Sequence, residues 1–260
     1  MKQTLSIVIP CLNEEENIKL VLEQCTFLLD KNSIIGELIV INDGSTDNTP
    51  HVVSELMATN SKIRLINHEK SRGLGGAFWR GVKEARYDFV IMMPGDNEND
   101  LDEALDAMSM ANHVDIIVPF VCNKLSRSFS RILISSFFNK IINLTFGLSL
   151  NYTNGTVIYN RRVLLLTELE SNGFFYQAEL LVKLIKAGYL FAEIPVFLSN
   201  RPSGESKALS LQSLLTVIKG FFRLAWRVNI AKNIKIPIDT ESNTFKRMKR
   251  FKENSPVALK

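Results

Sequence analysis

The sequence predicts an α/β protein: a mostly parallel sheet with helices packed on both faces. Three observations lead there. Apolar runs of strand length alternate with helical patterns through the first half of the chain, the rhythm of successive β-α-β units. The runs carry few polar interruptions, as strands covered on both faces do. Acidic, turn-forming segments follow the first, second and fourth of these runs, and open α/β sheets bind ligands at the carboxyl ends of their strands.

The strand-like runs are Leu5–Pro10, Glu37–Asn42, Lys62–Asn67, Asp88–Met93 and Val114–Phe120, with helical stretches expected near 14–30, 47–59, 74–86 and 100–112. Asp47-Asn48-Thr49-Pro50 is a good helix start, with a polar cap and proline in the first turn. The second half changes character. Residues 126–147 form a long aromatic-rich helical candidate, followed by a short strand at Thr156–Asn160 and a helix around 175–187. Tyr189–Val196 reads as an edge strand with Pro195 near its end. Residues 209–230 form an amphipathic helix. Leu211, Leu214, Leu215 and Ile218 recur at packing intervals, so that portion is expected against the domain and the later Phe/Trp/Arg portion at a membrane interface.

With 260 residues and a 46% hydrophobic share, the chain can build one large domain, alone or with an appendage. Cys11, Cys25 and Cys122 are scattered and have no CxxC pattern, which points to a reducing compartment and away from disulfides or zinc. The amino terminus leads straight into a strand, with no signal peptide visible, and no segment is a convincing membrane span. The net charge of +4 hides an asymmetry: residues 219–252 hold ten Lys/Arg against two Asp/Glu. A basic tail on an acidic body signals an anionic partner, either a membrane surface or nucleic acid. No aromatic stacking pattern accompanies the charge, so nucleic acid is the weaker of the two and is not expected as a partner. From residue 237 the tail is expected to be flexible.

Three acidic segments, Asn13-Glu14-Glu15-Glu16, Asn42-Asp43-Gly44-Ser45 and Pro94-Gly95-Asp96-Asn97-Glu98, are expected to meet on one rim of the sheet. Crowded carboxylates repel unless a cation or ligand lies among them, so the last segment is a candidate divalent-metal site facing a phosphorylated substrate. Each also has a plainer role, as a helix-start or turn residue. The glycines of Arg72-Gly73-Leu74-Gly75-Gly76 are a poor match to a dinucleotide fingerprint and suggest a close backbone approach. His51, His68 and His113 are isolated along the chain, so surface or satisfied-core roles are expected.

The segments VIPCLNEEENI (8–18), VINDGSTDNT (40–49), PGDNE (94–98) and RPSGESK (201–207) together resemble family 2 glycosyltransferases. The likeness is to the branch of dolichol-phosphate mannosyltransferase and bacterial polyprenyl-phosphate glycosyltransferases, and it covers roughly residues 4–210. It implies the glycosyltransferase-A fold, a UDP- or GDP-linked sugar donor, and Mg2+ or Mn2+. By position it implies that Pro10, Leu12 and Glu14 contact the nucleotide and that Ile41 and Asp43 hold the base and ribose region. Gly95 and Asp96 complete the nucleotide site, Asp96 and Glu98 hold the metal, and Arg201 and Lys207 grip the donor diphosphate. Arg131 and Ser135 would receive an acceptor phosphate, with Arg127 four residues earlier on the same helix face. The sequence departs from the family pattern in three places. Pro94 replaces the first aspartate of Asp-x-Asp, Glu98 stands where glutamine is usual, and Asn151–Thr156 replaces an aspartate-containing segment.

The expected organisation is a catalytic domain over 1–210, an amphipathic membrane-interface helix over 211–236 and a basic tail over 237–260. The expected activity is inverting transfer to a polyprenyl or dolichyl phosphate by an enzyme peripheral on the cytoplasmic face of a membrane. A membrane protein or a second copy of the chain is a further candidate partner. Two alternatives stay open: transfer to a saccharide hydroxyl, with Glu179 as base near Gln177, and a catalytically inactive nucleotide-sugar binder.

Overall fold

The computed structural model describes residues 3–96, 101–122, 129–153, 155–197 and 211–254. The chain opens with β1 (Thr4–Cys11), α1 (Ile18–Lys31), β2 (Ile35–Asn42), α2 (Thr49–Thr59), β3 (Ile63–Asn67), α3 (Gly73–Glu84) and β4 (Phe89–Met92). It continues through α4 (Asp102–Asp106, extended by a 3-10 turn over Ala107–Asn112), β5 (Ile116–Val121), α5 (Phe129–Phe146), β6 (Ile158–Asn160), α6 (Arg161–Leu165) and α7 (Tyr176–Lys186). It ends with β7 (Phe191–Val196), α8 (Leu211–Ala225, with a π turn over Trp226–Ile230) and α9 (Asn243–Asn254).

The seven strands form one sheet in the order β3-β2-β1-β4-β6-β5-β7. All neighbours pair in parallel except around β6, which runs antiparallel to both β4 and β5. β7 is the edge strand expected from Pro195. The strand order reverses on either side of β1, and the crevice of an open α/β sheet lies at such a switch point.

Side chains alternate along each strand, and both sets are buried. On β1 and β2, Leu5, Ile7, Ile9, Leu38 and Val40 pack under α1, α2 and α4. Val8, Ile39 and Ile41 face the other way, against Phe78 and Val82 of α3 and Leu180 and Leu181 of α7. Burial on both faces is why the runs look apolar throughout. A third cluster joins α5, α7 and α8 through Ile142, Phe146, Phe175, Val182 and Leu224.

Two expectations need correcting. In α8 the packed stripe is Val217, Phe221, Leu224 and Ala225, continued by Val228. Leu214, Leu215 and Ile218 are instead 53%, 51% and 42% exposed, in line with Phe222 and Trp226. Both stripes have helical spacing; Phe175 and Phe146, already buried beneath the helix, select the one that packs. The expectation of a flexible tail from 237 also fails, because residues 243–254 form α9. Its start is tied down by buried Asp115, which accepts hydrogen bonds from the Asn243 and Thr244 amides (2.8 and 2.9 Å) and from the Thr244 hydroxyl. Polar anchors of this kind leave no hydrophobic signal in a sequence.

Candidate active site

Two loops leave the carboxyl ends of β1 and β2 and are laced together. The Asn13 amide donates to Ser45 Oγ (3.0 Å), the Thr46 amide to Asn13 Oδ1 (2.8 Å) and the Glu14 amide to Thr49 Oγ1 (2.9 Å). Asn13 holds a positive φ of 57°, a left-handed turn that asparagine tolerates better than most residues. Glu15 and Asp47 brace the same crossing, Glu15 by accepting from the Asn48 amide and Asp47 by accepting from the Glu15 amide. Glu14 is half-buried, and its carboxylate accepts from Asn17 Nδ2 at 3.0 Å.

β4 is drawn onto the same rim. The Gly95 amide donates to the Pro10 carbonyl at 3.0 Å. A Cβ on Gly95 would lie 2.9 Å from Cys11 Cβ, so a side chain there would push the turn away from β1. Glycine thus sets Asp96, half-buried, beside the end of β1. Burial, together with the carboxylates of Glu14, Asp47 and Asp43, pushes the Cys11 thiol up to about 12. It stays protonated and is not a nucleophile.

Asp43 is buried and accepts four hydrogen bonds. His68 Nδ1 (2.7 Å) and the Arg72 amide (2.9 Å) reach Oδ1, while the Ser71 hydroxyl (2.7 Å) and the Gly73 amide (2.9 Å) reach Oδ2. In this state all its lone pairs serve the loop between β3 and α3, and it shapes the pocket wall from behind. His68 is correspondingly no isolated histidine. β2 and β3 are neighbours, so their ends bring residues 43 and 68 together, a pairing that spacing along the chain cannot show. The loop glycines serve a close backbone approach: a Cβ on Gly75 would lie 2.3 Å from the Ser171 carbonyl oxygen.

Pro10, Leu12, Glu14, Asp43, Gly95 and Asp96 thus gather at one edge of the sheet. Ile41 does not join them, because its side chain is fully buried between β2 and α3. Strand alternation turns that side chain into the core. Ser135 lies in α5, where its hydroxyl donates to the Ile132 carbonyl at 3.1 Å. Glu98, Arg127, Arg201 and Lys207, and the side chain of Arg131, lie outside the described residues. Among the described residues, no group of three or more His, Cys, Asp or Glu side chains is placed to hold a metal.

Sequence reasoning missed a buried ionic network. Lys183 Nζ donates to Glu179 (2.6 Å), Glu170 (3.0 Å) and the Glu168 carbonyl (2.7 Å), and Glu170 also pairs with Arg223 and Arg227. Glu179 additionally accepts from the Glu170 amide at 2.9 Å. Glu179 and Lys183 stand four apart on α7, so the pair was visible as a helix neighbour but its burial was not.

The model of the family described as Glycosyl transferase family 2 matches residues 6–165, which include the laced loops and the Gly95–Asp96 turn. The chain belongs to glycosyl transferase family 2. Glycosyltransferase AglD of Haloferax volcanii is 25% identical over 242 residues, 88% of this chain and 38% of that protein. Dolichyl-phosphate beta-glucosyltransferases ALG5C and ALG5D of Trichomonas vaginalis are 31% and 33% identical, each over 38% of this chain. The chain spans about a third of the length of these curated relatives: 38%, 31% and 32%. Among solved structures, glucosyl-3-phosphoglycerate synthase of Mycobacterium tuberculosis with uridine diphosphate superposes with a TM-score of 0.64 at 22% identity, covering 86% of this chain and 80% of that one. That likeness shows the fold, which is the glycosyltransferase-A fold expected from the sequence.

Proposed function

We propose that this family 2 glycosyltransferase moves a sugar from a UDP- or GDP-linked donor to a polyprenyl or dolichyl phosphate, with inversion. The observation that carries the reading is the convergence of the β1, β2 and β4 ends, where the Gly95–Pro10 bond sets Asp96 beside the loop that carries Glu14. The printed names of the two Trichomonas relatives support a lipid phosphate acceptor.

Mg2+ or Mn2+ fits this donor set. Magnesium binds through one or two carboxylates plus substrate phosphates, and Asp96, with Glu98 two residues on, supplies carboxylates of that kind. When bound, such an ion neutralises charge on the departing nucleoside diphosphate. Leu12, Glu14 and the wall behind Asp43 bind and orient the nucleotide. Arg201 and Lys207 would neutralise its diphosphate, while Arg127, Arg131 and Ser135 would receive the acceptor phosphate. A lipid monophosphate, with a second pKa of about 6, is already largely ionised at neutral pH and needs no general base. Glu179, the candidate base for a hydroxyl acceptor, is buried and paired with Lys183, which favours a phosphate acceptor.

The exposed apolar residues of α5 (Leu133, Ile134, Phe137) and α8 (Leu214, Leu215, Ile218, Phe222, Trp226) supply a surface for peripheral contact with the cytoplasmic face of a membrane. No helix among the described residues is long and apolar enough to cross one.

Donor panels of UDP- and GDP-sugars, incubated with Mn2+ and either polyprenyl phosphate or soluble saccharides, test the proposal. Label extracted into the lipid phase is the expected result. Transfer only to saccharide would sink the acceptor assignment.

A further inference from the structure

A cavity of about 910 Å3 lies at the amino-terminal edge of the sheet, the edge opposite Asp96. Thr4, Asp88 and Asn160 form part of its floor, and α9 forms its roof. Thr4 begins β1 and Cys11 ends it, so roughly 23 Å of strand separates this cavity from the candidate active site.

The roof is basic. Lys246, Arg247 and Arg250 lie three and four apart, share a face of α9 and all line the cavity. Arg162 adds a fourth cation from α6, but Asp239 already holds it at 3.0 and 3.3 Å. Only Asp88 and Glu241 bring opposite charge to the lining. Among the described residues, the Arg247 and Arg250 side chains have no hydrogen-bond or ion-pair partner.

Among the described residues, α9 contributes no side chain to the hydrophobic clusters and is held by polar contacts at its start. Its start is pinned by Asp115, yet the only buried residue in it is Thr244. Met248 and Phe251 are 48% and 70% exposed. Like charges one turn apart disfavour a helix, and a helix of this length is marginal without tertiary support. Basic residues lining a cavity shared with the sheet edge are ones that an anion held there would stabilise.

We propose that this cavity binds a multiply charged, phosphorylated small molecule, gripped by Arg247 and Arg250 with Lys246. Guanidinium forks match phosphate oxygens two at a time. The volume falls within the roughly 300–1,000 Å3 of small-molecule sites. Phe89 and Phe251 add flat apolar surface for the rest of the ligand. A small molecule is favoured over an anionic membrane as occupant, because these cations line a cavity of ligand size whose other lining is the sheet edge at Thr4, Asp88 and Phe89. The site is independent of the transferase reading.

Pyrophosphate is the probe, titrated calorimetrically into the full chain without divalent cations. The Asp96→Ala background and the absence of metal remove metal-bridged binding at the donor site, and any anion held by Arg201 and Lys207 is untouched by substitutions in α9. One pyrophosphate is expected to bind Asp96→Ala, and adding Arg247→Gln and Arg250→Gln is expected to weaken it about tenfold or more. The pair Arg247→Lys and Arg250→Lys keeps the charge and loses the forks, so binding should be intermediate. Circular dichroism checks that each variant folds. Equal binding with and without the glutamine pair, or no binding to Asp96→Ala, would overturn the proposal. So would phosphatidylserine vesicles that bind through these arginines while pyrophosphate neither binds nor competes.

Discussion

Replacing Asp96 by alanine is expected to lower sugar transfer by on the order of 10³-fold while leaving the fold intact, because charge stabilisation at the leaving group is commonly the largest catalytic contribution. The local structure explains why one residue weighs so much. Pro94 has removed one carboxylate from the acidic turn, and the Gly95–Pro10 hydrogen bond leaves Asp96 as the first acidic side chain after β4. Alanine keeps that bond and the glycine contact with Cys11, so circular dichroism should match the parent. Initial rates at saturating donor give the readout. Near-normal turnover by the variant would remove Asp96 from the catalytic account.

The largest stability effect is expected at Lys183. Its side chain is 3% exposed and its partner Glu179 2%. Burying two charges is costly, so the pair itself is not a strong net stabiliser. Removing one partner is different, because it strands the other without compensation. Lys183→Met is expected to cost about 3–5 kcal/mol, and adding Glu179→Leu should recover a large part of it. Chemical denaturation of the two variants measures both effects. A loss under 1 kcal/mol, about what an exposed pair gives, would contradict the buried network.

Glu170 gives the network a pH signature. Burial works against its charged form, but the Lys183 hydrogen bond and the charges of Lys183, Arg227 and Arg223 outweigh that and hold the carboxyl below its usual 4.5. A carboxyl whose folded value is depressed stabilises the protein above the unfolded value, and the gain is lost as pH falls through the folded one. Acidification below about 4.5 should therefore erode stability less steeply in Lys183→Met than in the parent.

Much of the fold was legible because it rests on signals local to the chain. The β1 to β5 runs are apolar for the reason found in the structure: each face of each strand meets a helical layer. The short β6 was expected near its place, but its direction and its insertion between β4 and β5 depend on long-range pairing that three residues cannot encode. α8 misled because it carries two apolar stripes, and only the position of Phe146 and Phe175 decides which one packs. The tail misled because Asp115, more than a hundred residues away, supplies the anchor. At the site, the acidic rim was readable from turn residues after strands. The division of labour within it was not. Ile41 looks like part of a motif but points into the core, while Asp43 spends its acceptors on His68, Ser71, Arg72 and Gly73.

Calorimetric titration of the chain with UDP and with GDP, each with and without Mn2+, tests the central claim most directly. With the α9 cavity disabled by Arg247→Gln and Arg250→Gln, one of the two nucleotides should bind at a single site, only when the metal is present, and that binding should vanish when Asp96→Ala is added. Binding that ignores both Mn2+ and the Asp96 substitution, or no binding of either nucleotide, would contradict a donor site at the meeting of β1, β2 and β4.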